Sequence, residues 1–186
     1  MSRLNDISLA TQVAVFHNRR AFDQLVREYQ SPVRRFFLAQ SLGNEALSDD
    51  LAQDTFLKAY THIAQYRGTS SFQTWLTRIA YNVWYDHCRS EKKNSDQLPL
   101  GAPDDRMAAA SSSVDTISSS LKMDLRSALA VLKEEERSCV TLQLIDGYDI
   151  KEIANITQMK EGTVKSHLSR GKEKMANYLR QNGYDR

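Results

Sequence analysis

This chain is most constrained by its segment 146–174, which reads DGYDIKEIANITQMKEGTVKSHLSRGKEK and predicts two helices joined by a tight turn. Asp149 is followed three residues later by Glu152, the capping-box spacing that satisfies the first unpaired amides of a helix. Residues 157–159 fit the turn, and the second helix is predicted to begin near residue 160. A compact helix pair of this kind is one of the ways in which proteins place a helix against DNA.

The second helix of this segment has two chemically different faces. Its apolar positions Val164, Leu168 and Met175 recur at intervals of four and seven residues, the spacing of a stripe that packs on a core. The other face carries the residues predicted to contact DNA, which are Lys165, Ser166, His167, Ser169, Arg170 and Lys172. Without acidic residues, this face suits the phosphates and base edges of the major groove. The alternative is an ordinary amphipathic helix whose basic face is solvated.

The composition favours an all-α fold. The chain has 186 residues, of which 41% are hydrophobic and 26% are charged, as in folded globular proteins. Only 7 glycines and 3 prolines interrupt it, so long helices without turns are expected. The length permits one large domain or two small ones. A formal net charge of +2 is too small to establish a nucleic-acid partner by itself.

Neither a metal site nor a cofactor site is indicated by the sequence. Cys88 and Cys139 lie far apart, without a CxxC pair or a histidine cluster beside them. No apolar run approaches the roughly 20 residues that a membrane span requires, and residues 1–16 lack the apolar core of a signal peptide. We therefore expect a cytoplasmic protein that does not insert into membranes.

Composition also divides the chain into two small helical domains joined by a flexible linker. The predicted linker, 94–120, contains two of the three prolines, runs of serine, four aspartates and one arginine. Basic residues outnumber acidic ones in both flanking parts, 1–93 and 121–186. The predicted organisation is therefore two basic domains separated by an acidic linker.

The N-terminal part reads as a series of helices. One begins after Asn5 and Asp6, and a second begins at Ala21 and is expected to bend or restart at Pro32. Ser48 is predicted to cap a third helix. In the C-terminal part, a helix that contains Val140 and Leu144 is predicted to turn both side chains inward, and a bundle of about four helices follows in all.

The long helix that begins at Phe72 carries a second candidate site for nucleic acid. Its predicted contact residues recur at intervals of three and four, and they are Arg78, Tyr81, Asn82, Tyr85 and Arg89. Aromatic rings stack on unpaired bases while cations follow the phosphates, so this stripe suits a single strand. The alternative is that the tyrosines are half-buried packing residues.

The order of these segments resembles a bacterial extracytoplasmic-function (ECF) sigma factor. AFDQLVREYQ is similar to the opening helix of the family, DDLAQDTFLKAY to its polymerase-docking segment, and YRGTSSFQTWLTRIAYN to the stretch that melts and reads the minus-ten promoter element. GTVKSHLSRGKEK resembles the helix that reads the minus-thirty-five element, although LuxR-type regulators carry a similar string. The resemblance extends from about residue 21 to about residue 180.

The resemblance implies a protein that binds the RNA polymerase core and directs promoter-specific transcription initiation. It implies polymerase contacts, on the clamp helices of the largest subunit, by Asp50, Gln53, Asp54, Phe56 and Leu57. It implies that promoter DNA is bound both as duplex, through the C-terminal domain, and as non-template single strand, through the N-terminal domain. An anti-sigma factor is a further candidate partner.

Two other readings are open at this point. The first is a helix-turn-helix transcription regulator that acts outside the polymerase holoenzyme, although 1–93 shows no separate sensing domain. The second is a nucleic-acid hydrolase that uses Asp49, Asp50 and Asp54, although Asp50 and Asp54 alone make a thin metal-ligand set. The sequence contains no catalytic triad or phosphate loop, so we expect a protein that is not an enzyme.

Overall fold

The computed structural model of the chain describes residues 3–96 and 116–184, with side chains described for 3–93 and 123–184. Within these residues the chain forms helices and no strands, which confirms the predicted all-α fold. The helices are α1 (Arg3–Phe16), α2 (Arg19–Gln40), α3 (Glu45–His62), α4 (Phe72–Asp96), α5 (Thr116–Ala130), α6 (Glu134–Val140), α7 (Ile150–Thr157) and α8 (Glu161–Gln181). Because α4 continues to Asp96 and α5 begins at Thr116, most of the predicted linker lies outside the described residues.

The N-terminal domain consists of α1 to α4, and α2 and α4 supply its largest buried side chains. Phe36, Phe37 and Leu25 of α2 and Phe72 and Leu76 of α4 are each at most 1% exposed, and the two helices pack against each other. α1 and α3 pack against α2, and α3 also packs against α4. Apolar residues at helical spacing therefore form one core for these four helices.

Pro32 does not restart α2, contrary to part of the expectation from sequence. α2 runs as one helix from Arg19 to Gln40 with Pro32 inside it. Tyr29, Val33 and Phe36 on either side of the proline are buried in the core. Tertiary packing on both sides of Pro32 stabilises the helix enough to tolerate the loss of one backbone hydrogen bond.

Ser48 does not cap α3, so this prediction is wrong. α3 begins one turn earlier, at Glu45, and the side chain of Asn44 accepts a hydrogen bond from the amide of Leu47 at 3.1 Å. Ser48 lies fully buried inside the helix, where its hydroxyl donates to the carbonyl of Asn44 at 2.6 Å. Asparagine and serine are both common caps, so residue type alone does not choose between Asn44 and Ser48.

The C-terminal domain consists of α5 to α8 and contains the predicted helix-turn-helix. The amide of Glu152 donates to Asp149 at 2.8 Å and the amide of Asp149 donates to Glu152 at 3.0 Å, which confirms the capping box. Gln158 adopts a left-handed conformation, with φ of 59°, in the turn before α8. The apolar face of α8 is buried as predicted, and α8 packs against α5, α6 and α7.

Leu144 points outward, contrary to prediction. Val140 is 1% exposed, whereas Leu144 is 56% exposed. Between them α6 continues into a π-helical segment, Thr141–Ile145, whose wider turn shifts the side chains that follow out of the α-helical register. Leu142 takes the buried position instead.

Arg137 of α6 joins the two domains through backbone carbonyl groups. Its guanidinium donates to the carbonyls of Leu129 at 3.0 Å and Leu132 at 3.1 Å, at the end of α5, and to the carbonyl of Gln40 at 2.8 Å, at the end of α2. The neighbouring hydroxyl of Ser138 donates to the side chain of Gln40 at 3.0 Å. Burial holds the pKa of Arg137 below its usual range. The negative ends of two helix dipoles therefore surround a buried cation.

Two further polar contacts join α2 and α4 to the segment just before α7. The hydroxyl groups of Thr77 and Tyr148 lie 3.0 Å apart in a buried hydrogen bond. Arg35 pairs with Asp146 at 3.2 Å, and the Asp146 side chain is 5% exposed. Burial raises the pKa of Asp146 above its usual range, although the hydrogen bond and the charge of Arg35 act in the opposite direction. Both α2 and α4 are thus hydrogen-bonded to the C-terminal domain, with Thr77 and Asp146 buried in these contacts and Arg35 half exposed.

Gly171 allows the close approach of α8 to α6, and we expect Gly171→Ala to destabilise the C-terminal domain. A Cβ atom at Gly171 would lie 2.7 Å from Cγ2 of the buried Val140. Overpacking of this kind lowers the free energy of unfolding by about 1–3 kcal/mol. Urea unfolding followed by circular dichroism would measure the change.

Gly162→Ala is the matched control, because it lies in the same helix and its Cβ would meet nothing within 4 Å. We expect this variant to keep or raise the free energy of unfolding, by up to about 1 kcal/mol, since alanine favours helix more than glycine does. Equal effects of the two substitutions would contradict the close contact at Gly171.

Candidate nucleic-acid and protein interfaces

α4 exposes four of its five predicted nucleic-acid residues on one face. Arg78, Asn82, Tyr85 and Arg89 are exposed, and their spacing of four, three and four residues places them along one side of the helix. The Tyr85 side chain is 54% exposed although it is a large aromatic group. An exposed ring between two cations and an amide can stack on an unpaired base while the cations contact phosphates.

Tyr81, the fifth predicted residue, is buried in the observed arrangement and does not lie on this exposed face, so its contact with nucleic acid stays a prediction. The side chain is 6% exposed, and burial raises its pKa to about 12. Tyr81, Trp84 and Cys88 form a second stripe of α4, which lies against Glu135 and Ser138 of α6. The C-terminal domain covers this stripe, and the periodicity of α4 alone contains no signal of that contact.

α8 exposes most of its predicted DNA-contacting side chains. Lys165, Ser166, Ser169 and Lys172 are exposed, whereas His167 is half-buried. The hydroxyl of Ser166 donates to the carbonyl of Gly162 at 2.9 Å, one turn earlier in the same helix. The exposed lysines and serines form a surface able to donate hydrogen bonds to DNA phosphates and base edges.

Arg170 is the exception on α8, because it is exposed but already paired. Its Nε donates to the carboxylate of Glu136 at 3.3 Å, and the Arg170 side chain is 53% exposed. Its Nη2 lies 3.2 Å from Nδ1 of His167. A guanidinium has only donors, so Nδ1 of His167 is the acceptor wherever this hydrogen bond forms. The sequence pattern predicted Arg170 as a DNA contact but did not indicate either partner.

α3 places four of its predicted polymerase-contacting residues on one exposed face. Asp50, Gln53, Asp54 and Leu57 are exposed and follow the spacing of three and four residues that defines one side of a helix. Leu57 is 66% exposed. Asp49 lies off this face and pairs with Arg34, whose Nε is 2.6 Å from its carboxylate. An apolar side chain beside two carboxylates and an amide provides a chemically mixed surface for a protein partner.

Phe56, the fifth predicted polymerase contact, lines a groove between α2 and α3. The groove has a volume of about 770 Å³ and is open to solvent. Sequence reasoning missed Phe22, Val26 and Tyr60 as lining residues of this groove. The rings of Phe22 and Tyr60 meet edge to face, with their centroids 4.9 Å apart. The signal available in the sequence was the apolar pair at 22 and 26, one turn apart on α2 and off its main core stripe.

The described residues contain no cluster of three or more histidine, cysteine or acidic side chains that could hold a metal ion. Within the same residues, no helix is long and apolar enough to cross a membrane. The free cysteines Cys88 and Cys139 are buried, and burial raises the pKa of each thiol to about 12.

Two family models match the two domains in order. Sigma-70 region 2 matches residues 25–94, and Sigma-70 region 4 matches residues 122–175. The first match contains α3 and most of α4, and the second contains the helix-turn-helix. Both candidate nucleic-acid faces therefore lie in regions that match sigma-factor families.

Similar proteins agree with these matches. The ECF RNA polymerase sigma-E factor of Haemophilus influenzae is 30% identical over 170 residues, which cover 87% of this chain and 89% of that protein. The sigma-E factor of Escherichia coli K12 is 29% identical over 168 residues, covering 86% of this chain and 87% of that protein.

Solved structures show the same fold. The sigma factor RpoE of Bartonella quintana, in complex with the anti-sigma factor NepR, has a TM-score of 0.65 at 27% identity and covers 89% of this chain and 98% of that chain. CnrH, in complex with the cytosolic domain of CnrY, has a TM-score of 0.70 at 24% identity. The match covers 96% of this chain and 99% of CnrH. The resemblance seen in the sequence is confirmed: this chain belongs to the ECF RNA polymerase sigma factors, which bind the polymerase core and direct promoter-specific transcription initiation.

Proposed function

We propose that the exposed face of α3 and the adjoining groove bind the clamp helices of the largest polymerase subunit. The observation that supports this role best is the exposure of Leu57 on the same face as Asp50, Gln53 and Asp54. Desolvation of Leu57 would favour binding, and the carboxylates would pair with cations of the partner. Phe56 and the other groove residues would accept an apolar side chain of the clamp.

We also propose distinct DNA-binding roles for the two domains, with residues 1–93 as the minus-ten domain and 121–186 as the minus-thirty-five domain. Arg78, Asn82, Tyr85 and Arg89 would bind unpaired bases and phosphates of the non-template strand. The exposed residues of α8 would bind duplex DNA. Binding energy from captured bases would offset the few kcal/mol lost on unstacking and shift the promoter toward its melted state. The chain would thus act by binding in the cytoplasm, without catalysing a reaction, and 94–120 would serve as the linker.

Use of the complete predicted stripe of α4, including Tyr81, requires that the observed contact between the domains open. Tyr81, Trp84 and Cys88 lie under α6, next to the exposed face of α4. We propose that binding to the polymerase core separates α6 from α4, which would uncover Tyr81 beside Asn82 and Tyr85. The predicted role of Tyr81 in binding a melted strand belongs to that open state.

We further propose that an anti-sigma factor is a partner of this chain. The support is the similar RpoE of Bartonella quintana, whose structure was solved with the anti-sigma factor NepR. The apolar groove between α2 and α3 is the surface at which such a protein would compete with the polymerase.

Asp54→Lys should lower the affinity for the polymerase core by roughly tenfold or more, because it places a cation where we propose that the partner presents cations. Binding of the purified chain to bacterial core polymerase would be measured by fluorescence anisotropy. Asp23→Lys is the control, since Asp23 is also an exposed acidic residue but belongs to α2 and not to the exposed face of α3. Undiminished binding by the double variant Asp50→Lys/Asp54→Lys would contradict docking through α3.

Cys88 should react slowly with a thiol reagent in the free chain and faster in the holoenzyme. It is buried beside α6 with its pKa raised to about 12, and only the thiolate reacts. The rate would be followed in a Cys139→Ala background by mass spectrometry of this chain. Thr11→Cys, at an exposed position of α1, would give the rate for an accessible thiol. Equal rates for Cys88 with and without core would contradict the proposed separation.

Tyr85→Ala should slow promoter melting with little effect on duplex binding, because its ring is assigned to bases that become accessible only after melting. A template mismatched across the minus-ten element should rescue Tyr85→Ala more than Lys165→Ala, since melting is then no longer required. Permanganate footprinting would be performed on a promoter that the holoenzyme selects from genomic fragments. Tyr85→Phe keeps the ring and should melt the promoter normally. Equal rescue of both alanine variants would contradict the role of Tyr85 in melting and would assign that role to other residues.

A further inference from the structure

Glu136 of α6 is a buried carboxylate that contacts two cations of α8. Its side chain is 3% exposed. Its Oε1 accepts the Nε–H of Arg170 at 3.3 Å, and its Oε2 accepts a hydrogen bond from Nζ of Lys174 at 2.7 Å. Arg170 and Lys174 lie one turn apart, so both face α6 from the same side of α8. One buried acidic group thus contacts the helix that carries the candidate DNA surface at two successive turns.

The surroundings of Glu136 favour its charged form. Burial by itself raises the pKa of a carboxyl group, but three hydrogen bonds oppose this, from Lys174, from the amide of Lys133 and from Arg170. Their combined effect holds the pKa of Glu136 below its usual range. Lys133 donates its amide to Oε2 at 3.2 Å, so the carboxylate is also held by the start of its own helix. Its orientation is therefore fixed from three directions.

Gly171 brings the helix backbones close enough for this contact. A Cβ atom at Gly171 would lie 3.5 Å from Cβ of Glu136 and 3.6 Å from its carbonyl oxygen. Gly171 follows Arg170 directly, so this close approach of α8 to Glu136 is adjacent to the paired arginine. Both the distance and the rotation of α8 relative to α6 are consequently defined at this point.

These contacts hold Arg170 in place but leave some of its N–H donors without a partner in the described residues. A guanidinium carries five N–H groups: Nε–H donates to Glu136, and one N–H of Nη2 is directed at Nδ1 of His167. The remaining N–H groups are still available, and the side chain is 53% exposed. A planar guanidinium that is held at Nε presents its outer nitrogens in a defined plane, which is what a bidentate contact with a base requires.

We propose that Glu136 is a positioning residue for promoter recognition, which sets the base preference of α8 by orienting Arg170 while touching no DNA itself. This inference rests on the proposed role of α8 in reading duplex DNA. Fixing a long side chain before binding removes an entropic cost at the interface. It also selects one orientation of the fork, so the wrong base cannot be accommodated by a rotated guanidinium. Lys174, on the other carboxylate oxygen, would balance charge without reading bases.

The test compares base preferences of holoenzymes assembled from bacterial core polymerase and variants of the full chain. Each holoenzyme would be incubated with DNA duplexes whose base pairs are randomised in the upstream promoter element. The duplexes that it binds would then be isolated and sequenced. Arg170→Ala should lose about tenfold discrimination at the positions that it reads, the scale of one bidentate contact. Glu136→Gln should lose about threefold discrimination between bases at the same positions and at no others. This is the scale of the entropic cost of ordering one long side chain. The double variant Glu136→Gln/Arg170→Ala should show the same base preference as Arg170→Ala alone, because Glu136 acts through Arg170.

Two controls separate positioning from charge and from stability. Glu173→Gln removes the same charge from an exposed position on α8 and should leave base preference unchanged. Lys174→Ala removes the other cation from Glu136 and should lower stability, while Arg170 keeps its contact and its base preference. Thermal unfolding of each variant would show that loss of preference in Glu136→Gln is not simply partial unfolding.

The possible failures are distinguishable. If Arg170→Ala leaves base preference unchanged, both the reading role proposed for Arg170 and the positioning role of Glu136 are wrong. If Arg170→Ala changes preference and Glu136→Gln does not, only the positioning role is overturned. Should Glu136→Gln fail to fold, Arg170→Lys serves instead, because it keeps the charge at the surface but lacks the fork. Retention of the base preference by Arg170→Lys would also overturn the proposal.

Discussion

The arrangement of the two domains depends on the burial of one cation, Arg137, at the ends of two helices. Its guanidinium donates to carbonyls at the end of α5 and to the last carbonyl of α2, at Gln40. A buried charge is costly unless it is paired, and here the partners are carbonyl groups and helix dipoles rather than a carboxylate. The same side chain therefore closes the C-terminal domain and attaches it to the N-terminal one.

This attachment determines which surfaces are available. With α6 held against α4, the stripe of Tyr81, Trp84 and Cys88 is covered, while Asn82 and Tyr85 remain exposed beside it. The groove between α2 and α3 lies elsewhere on the N-terminal domain and stays open. A partner can thus reach the groove while part of the α4 surface is still covered by the C-terminal domain, which would give the proposed polymerase binding and the proposed DNA melting a natural order.

A second buried charged group of α6, Glu136, contacts the helix that carries the candidate DNA surface. Glu136 lies next to Arg137 in sequence, but it turns toward α8 and binds Arg170 and Lys174. Consecutive residues near the start of α6 thus contact two different partners, the N-terminal domain and the helix proposed to read DNA. Since α6 participates in both contacts, the proposed separation of α6 from α4 would also act on the contacts of Glu136 with Arg170 and Lys174 in the middle of α8.

The sequence by itself determined the helices, the capping box at Asp149 and the family, because these depend on local spacing and hydrogen bonds between near neighbours. It also predicted most exposed site residues, since one helix face can be read from periodicity. Only the tertiary structure decided that α2 continues through Pro32, that Leu144 is exposed and that Tyr81 is covered. It alone paired Arg170 with Glu136, 34 positions apart. The exposure of Leu144 follows from the π-helical segment Thr141–Ile145. The other outcomes depend on contacts between residues distant in the chain, and a local pattern of charge or hydrophobicity does not specify those partners.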